Sequence, residues 1–214
     1  PDGNMVAYHF EDQYMVSAPA ATVANVDMNV VYRGYDNKME ISVPGIADSQ
    51  LRVSATGASI SKSGNFYICK PTADREIVIS VSADVDGKIQ TVGQKKYRVR
   101  PVPSPTAFLR LANNELYNPD IEGVKLRRRD LYSATVVAEY ADGMLNANFN
   151  VQQFTLYIQQ GAGWDNLTVK GNKLTDKEID RLKKLKAGQK FYFGDIRYTG
   201  PKNGKLSMGM IDMP

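Results

Sequence analysis

Residues that build metal sites, disulfides and histidine-based catalytic centres are nearly absent from this 214-residue chain. Its only cysteine is Cys69 and its only histidine is His9, and the two are far apart in sequence. One cysteine cannot form an internal disulfide, and this pair is too small to build a zinc site. A catalytic triad would have to use His9, whose neighbours lack the spacing of a nucleophile elbow. We therefore predict a protein that is not an enzyme and binds no metal or cofactor.

Long apolar runs are also absent. No stretch of eighteen or more apolar residues occurs, so we expect no membrane-spanning helix and no direct membrane contact by this part of the chain. The sequence opens at Pro1 without a signal peptide, and strand-like sequence follows almost at once. This pattern favours a fragment whose targeting segment lies upstream.

Two short motifs resemble parts of ligand loops, but both are incomplete. Segment 161–166 is glycine-rich like a phosphate loop, yet it lacks the third glycine and no βαβ unit follows it. Asp84 and Asp86 lack the other ligands of a calcium loop. We interpret 161–166 as a loop and the two aspartates as turn residues. For Trp164, within that loop, we favour a core position over an exposed contact.

Positive charge is concentrated in the second half of the chain. The net charge is +4. Residues 1–102 hold 11 Lys and Arg against 11 Asp and Glu, whereas residues 103–214 hold 16 against 12. This asymmetry favours separate domains and makes the second half the better candidate for contact with an acidic partner.

Alternating patterns predict a mainly β protein. Apolar residues alternate with mostly polar ones over 77–85, Asp86-Gly87 follows, and 88–100 resumes an extended pattern. Because Asp-Gly tolerates the backbone angles of a tight turn, this segment predicts a β-hairpin. Cys69 lies in another short apolar run, where we expect a small buried strand residue.

A similar layout returns later in the chain. Residues 132–140 are rich in Val, Thr and Ala, Asp142-Gly143 suits a turn, and the next strand carries Phe154, Leu156 and Ile158 on one face. We predict a second hairpin here. The expected fold is two tandem Ig-like antiparallel β-sandwich domains.

Three prolines between the two predicted hairpins, in Pro101-Val102-Pro103-Ser104-Pro105, indicate a short, stiff, extended linker, since proline fixes φ and removes a backbone donor. We place a domain boundary there. Residues 1–27 are then the closing strands of a preceding domain and a connector, 28–102 a β-sandwich domain, and 103–214 a C-terminal β domain with one helix.

That helix is predicted at about 176–187. Thr175 and Glu178 have the spacing of a capping box, in which each side chain satisfies a free backbone donor. An apolar stripe recurs every three residues after them, and Gly188 suits the helix end.

Two basic clusters are the strongest charged features. They comprise Lys125, Arg127, Arg128 and Arg129 in one segment and Arg181, Lys183, Lys184 and Lys186 along the predicted helix. A solvated face is the plainest interpretation, and docking to an acidic protein surface is the functional one. Nucleic-acid binding would need a larger positive excess with interleaved aromatic residues, so we do not expect it.

Several segments together carry a family resemblance. Residues 29–37 with 41–45, Gly64 with Phe66 and Tyr67, the proline linker, 171–175, and 188–193 with Asp195-Ile196 resemble the GldM/PorM family of the type IX secretion and gliding-motility machinery. The family positions in the first of these segments are Tyr32, Arg33, Gly34, Asn37, Val43, Pro44 and Gly45. Turn and strand-exit chemistry explains these residues without a binding role.

The resemblance implies a periplasmic coupling protein. Family members are anchored in the inner membrane by an N-terminal helix absent here, and they form elongated homodimers. They link inner-membrane GldL/PorL to an outer-membrane-associated ring of GldK/PorK and GldN/PorN. This chain would be the distal end, with ring proteins as its partners.

Two other functions stay open on sequence alone. A carbohydrate- or ligand-binding β-sandwich of an exported protein would show an exposed planar row of aromatic rings, and only one Trp is available. An enzyme with an unrecognised site would show an enclosed pocket with converging polar groups.

Overall fold

A computed structural model describes residues 29–85, 87–141, 143 and 145–214. The predicted end strands in 1–27, and His9 among them, lie outside the described residues. In the described part the fold is mainly β. The elements are β1 (Val30–Arg33), β2 (Asn37–Met39), β3 (Leu51–Thr56), β4 (Ala58–Ser63), β5 (Phe66–Pro71), β6 (Glu76–Val85), β7 (Lys88–Pro101), β8 (Thr106–Arg110), β9 (Leu116–Tyr117), α1 (Arg128–Ser133), β10 (Thr135–Glu139), β11 (Asn150–Gln160), β12 (Gly163–Lys170), α2 (Asp176–Lys183), β13 (Lys190–Thr199), β14 (Gly204–Leu206) and β15 (Ile211–Asp212).

Strands β1–β7 form the first sandwich. One sheet has the order β1-β7-β6-β3 and the facing sheet the order β2-β5-β4. The core between them contains Val31, Cys69, Ile77, Ile79 and Val99. Cys69 is buried on β5, as predicted. The pairing is antiparallel except between β1 and β7, which run parallel.

The first predicted hairpin is confirmed. Strands β6 and β7 pair along their length, and Gly87 in the turn has φ +77°. The register shifts between Val81 and Ser82, so that Val92 is an extra residue on β7. Such a bulge bends the strand and increases its twist.

Strands β8–β15 and both helices form the second sandwich. Its sheets have the orders β10-β8-β9 and β12-β11-β13-β14, and β15 pairs with the other end of β13. Phe154, Leu156, Phe191, Phe193 and Ile196 point into the core and are almost wholly buried. This core is the larger of the two.

The second predicted hairpin is wrong. Strand β10 pairs with β8, whereas β11 pairs with β12 and β13 in the facing sheet. The chain therefore passes from one sheet to the other between β10 and β11. The alternating pattern correctly marked a strand on each side, but it carries no information on which strand pairs with which.

The start of the predicted segment 132–140 also differs from prediction, because Tyr132 and Ser133 are the last two residues of α1 rather than extended chain. The second sandwich thus has two helices, not one. The helix is short and rich in arginine, so its single buried apolar residue, Leu131, gave no periodic signal.

Helix α2 begins as predicted but ends early. The Thr175 and Glu178 capping box is present, and the Thr175 backbone N–H donates to Glu178 Oε2 at 2.9 Å. The helix stops at Lys183, not near 187. The reason lies in the C-terminal segment, where Gly188 N–H donates to Met213 O and Met213 N–H to Gln189 O at 2.9 and 2.8 Å. Pairing with the chain end replaces the last helical turn.

The linker is packed between the sandwiches. Val102 and Pro105 are buried, and Pro101 pairs with Arg33 as the last residue of β7. The Tyr140 hydroxyl donates to Pro103 O at 2.8 Å, and Lys202 Nζ lies 3.1 Å from Ser104 Oγ. Contacts with the second sandwich therefore stiffen a segment that its prolines already restrict.

Candidate docking surfaces

The family-motif turn between β1 and β2 is held together by one side chain. Asn37 Oδ1 accepts from the Tyr32 backbone N–H at 2.8 Å. Its Nδ2 donates to the carbonyls of Tyr32 at 2.8 Å, Tyr35 at 3.0 Å and Cys69 at 3.1 Å. Because the Cys69 carbonyl belongs to β5, this amide connects the turn to the core of the first sandwich.

Other motif residues support the same turn. Arg33 forms an ion pair with Asp74 at 2.8 Å. Gly34 has φ +78°, and a Cβ there would lie 2.7 Å from the carbonyl oxygen of Pro201 in the second sandwich. Gly34 thus permits both the turn and a close contact between the sandwiches.

Val43, Pro44 and Gly45 form a second, exposed turn. The Ile46 N–H donates to Val43 O at 3.1 Å, and Gly45 has φ +79°. Proline followed by a glycine with positive φ is the pattern of a type II turn. Nothing in this geometry requires a ligand.

A cleft of about 520 Å³ lies beside the motif turn. Its walls come mainly from 30–40, with Tyr97 of β7 and with Leu145 and Asn146 from the second sandwich. Burial raises the pKa of Tyr97, and the neighbouring Cys69 thiol raises it further. Among the described residues of the wall, the acidic groups Asp36 and Glu40 are accompanied by Lys38.

Arg128 brings the two predicted basic clusters together. It lies at the start of α1, and its guanidinium donates to the carbonyls of Leu185 at 3.0 Å and Pro214 at 3.2 Å. The first cluster is therefore fastened to the loop after α2 and to the chain end. Arg128 has a structural contact, which leaves less of it available to a partner.

Local carboxylates pair with four of the other cations. Arg127 and Arg129 lie 3.8 and 3.6 Å from Asp130, Lys183 lies 3.4 Å from Asp180, and Arg181 pairs with Asp165. Exposed pairs of this kind contribute little to stability. Within the described part of the chain, the cluster members outside these ion pairs are Arg128, which makes the carbonyl contacts given above, and Lys125, Lys184 and Lys186.

Two shallow hollows border these cations. One, of about 180 Å³, is lined by Lys125, Arg127 and Arg129 together with Glu115 and Asp130. The other, of about 260 Å³, lies between Arg181, Lys184 and the strand end at Gln160. Acids in the first hollow offset its cations, whereas the described residues that line the second include no acid.

An exposed aromatic group was not predicted. Segment 161–166 is not a loop throughout, because β12 begins at Gly163, and Trp164 is 42% exposed rather than in the core. Its ring packs edge-on against Tyr192 with centroids 5.2 Å apart. Tyr192 in turn stacks on Tyr157, with centroids 4.6 Å apart and planes 6° apart. The available signal was the alternation of Tyr157 with buried Leu156 and Ile158.

Asp195 lies beside this group in a conformation that is unusual for a residue other than glycine. It has φ +49° within β13, at a break in the β11–β13 register. Hydrogen bonds from Lys205, and then from Tyr157, lower the pKa of its carboxyl. The Tyr157 hydroxyl donates to Asp195 Oδ2 at 2.5 Å, which raises the pKa of Tyr157 to about 12.

No described helix is both long enough and apolar enough to span a bilayer. Over the same residues, no three His, Cys, Asp or Glu side chains come together as metal ligands would.

Comparison with known proteins gives two consecutive matches. The model of the GldM third domain matches residues 20–100, and the model of the GldM C-terminal domain matches residues 103–213. No curated protein matches the chain.

Proposed function

This chain belongs to the GldM family, whose third and C-terminal domains together match most of it, and on that premise we propose that it is a non-catalytic coupling part of the type IX secretion machinery. GldM proteins are structural components of gliding motility and type IX secretion, and their C-terminal domains are periplasmic. The family match carries the proposal.

In this proposal the chain connects two membranes through protein contacts. The second sandwich docks to the outer-membrane-associated ring proteins GldK/PorK and GldN/PorN. An upstream part, anchored in the inner membrane by an N-terminal helix, meets GldL/PorL, and the protein acts as a homodimer. The chain contacts no nucleic acid, and 29–214 do not enter a membrane.

The junction between the sandwiches supports force transmission. Coupling requires that displacement at one end reaches the other without being absorbed at a flexible joint. Here the linker is buried at Val102 and Pro105, Tyr140 of the second sandwich donates to linker residue Pro103, and Gly34 of the first sandwich lies against Pro201 of the second. A chain of this kind behaves as a semi-rigid spacer.

Pull-down with purified ring proteins tests the docking step. The 214-residue chain should retain GldK/PorK, GldN/PorN or their complex, and residues 103–214 should hold the contact. A matched measurement reverses two cluster cations that lack an ion-pair partner, with Lys184→Glu and Lys186→Glu, and uses Lys62→Glu on β4 as the control. Failure of the chain to retain any ring protein, while an upstream fragment retains one, would show that docking lies elsewhere.

The exposed aromatic rings of the second sandwich differ from the planar row expected of a carbohydrate-binding domain. Sugar platforms present the faces of aromatic rings, but Tyr157 and Tyr192 cover one face of each other by stacking. Trp164 stands at 75° to Tyr192, so the three rings do not form a planar row. Glycan-array binding at micromolar affinity would restore this alternative.

A further inference from the structure

The outer face of the five-stranded sheet has a defined arrangement of side chains. Strand register aligns residues of β12, β11 and β13 in rows across the sheet. From one end to the other the outward rows are Trp164–Gln159, Asn166–Tyr157–Tyr192, Thr168–Thr155–Gly194 and Lys170–Gln153–Arg197, with Lys205 of β14 beside Arg197. Six residues of strand separate Trp164 from Lys170, which corresponds to about 20 Å.

The first end of this face is aromatic. Trp164 is 42% exposed, and it packs on the stacked pair Tyr192 and Tyr157. Gly194 makes the arrangement possible, because a Cβ there would lie 2.9 Å from Tyr192 and 3.0 Å from Tyr157. The rings therefore lean over the glycine and are held in place before any partner arrives. Rigid, partly exposed Trp and Tyr are the residues that most often dominate binding energy at protein interfaces.

The other end of the face is basic. Lys170 and Arg197 are exposed, and neither has an ion-pair partner in the described part of the chain. Asp195, two residues before Arg197 on β13, is already bound by Lys205 and by the Tyr157 hydroxyl. The positive charge of this end is therefore only partly offset by Asp195, which also interacts electrostatically with Arg197, and an incoming carboxylate would supply further counter-charge.

We propose that this outer sheet face docks an extended acidic segment of a partner protein. The segment lays an aromatic or aliphatic side chain against Trp164 and Tyr192 and its carboxylates beside Lys170 and Arg197. The distance between the two ends fits about six extended residues. This inference rests on the proposed function and deepens it, since it assigns the docking contact to the sheet face rather than to the basic clusters on α1 and α2. A nucleic acid fits less well, because it would need a longer cationic track than this single row.

Binding of the 214-residue chain to the purified ring proteins GldK/PorK and GldN/PorN tests the assignment. Trp164→Ala and Arg197→Glu should each weaken binding by about tenfold or more. Matched controls on the first sandwich are Phe66→Ala, which removes an aromatic ring that is 40% exposed, and Arg52→Glu, which reverses an exposed strand cation. The controls should bind as the original chain does. The effect of Arg197→Glu should shrink at high salt, because screening removes the charge contribution.

The outcomes distinguish a failure of the proposed function from a failure of the face assignment. If the unaltered chain binds and both sheet-face variants bind equally well, the face assignment is overturned while the coupling function stands. If Lys184→Glu and Lys186→Glu abolish binding and the sheet-face variants do not, the basic clusters hold the contact instead. If the unaltered chain binds neither ring protein, both the function and the face assignment fall. An oligonucleotide or cello-oligosaccharides can be added as competitors. If they displace the ring proteins, and if Trp164→Ala abolishes that displacement, the face serves a different class of ligand.

Discussion

Asn37→Ala should destabilise the first sandwich strongly and leave the second unchanged. The side chain makes four hydrogen bonds to backbone groups, and the residue is only 8% exposed. Alanine would remove all four and leave the Tyr32 N–H and the Cys69 carbonyl without this partner. A buried hydrogen bond contributes about 0.5–1.5 kcal/mol net, so the expected loss is about 3 kcal/mol after partial rehydration.

That loss is large for a sandwich of this size. A unit of roughly 70 residues has a free energy of unfolding of about 4–10 kcal/mol. The substitution should therefore remove a substantial share of its stability. Asn65→Ala is the matched control, because Asn65 is exposed in the turn between β4 and β5. Its effect should stay within about 0.5 kcal/mol.

The chain provides a separate reporter for each sandwich. Cys69, the only cysteine, is buried in the first core, and Trp164, the only tryptophan, lies on β12 of the second sandwich. Maleimide labelling of Cys69 in rising urea follows the first unit, and tryptophan emission follows the second. Asn37→Ala should move the labelling transition to lower urea while the emission transition stays in place. An unchanged labelling transition would refute the assigned role of Asn37, and equal movement of both would show that the sandwiches unfold as one.

Three further predictions concern the second sandwich. Phe193→Ala removes a fully buried ring and should lower the free energy of unfolding by about 3–5 kcal/mol, measured by urea unfolding with Trp164 emission. A loss under about 1 kcal/mol would contradict the core assignment. Glu178→Ala breaks the capping box and should lower stability by about 1 kcal/mol, whereas Lys177→Ala on the exposed side of the same turn should not. Ultraviolet titration should find one tyrosine with a pKa near 12, which Asp195→Asn returns toward the ordinary value. Because folding raises the pKa of Tyr157, the hydrogen bond to Asp195 contributes fully to stability below the pKa of an unfolded tyrosine, about 10. This contribution is lost as the pH rises through about 12. A tyrosine titration that Asp195→Asn leaves unaltered would refute the pairing.

Local chemistry made some features predictable. Asp86-Gly87 specified the hairpin of β6 and β7, and Thr175 with Glu178 specified where α2 begins. In both cases a few neighbouring residues decide the backbone conformation. Buried Cys69 likewise followed from the apolar residues around it.

The features that sequence reasoning missed depend on distant residues. Strand β10 pairs with β8 instead of the strand that follows it, and α2 ends early because Gly188 bonds to Met213. The aromatic group combines Trp164, Tyr157 and Tyr192 from three strands, so only register brings them together. A pattern within one segment holds no information about such partners.

The parallel pairing of β1 with β7 bears directly on how the first sandwich would carry load. These are the first and last of its described strands, and four residue pairs join them, from Val30 with Arg98 to Arg33 with Pro101. When the first and last strands run parallel, tension along the chain shears them past each other. Their hydrogen bonds are then loaded at the same time rather than one after another. Asn37 fastens the end of β1 to β5, next to the point where β7 enters the linker. The motif turn thus strengthens the sandwich where force from the second sandwich would enter it, which explains a structural role for these residues without requiring that any of them touch a partner.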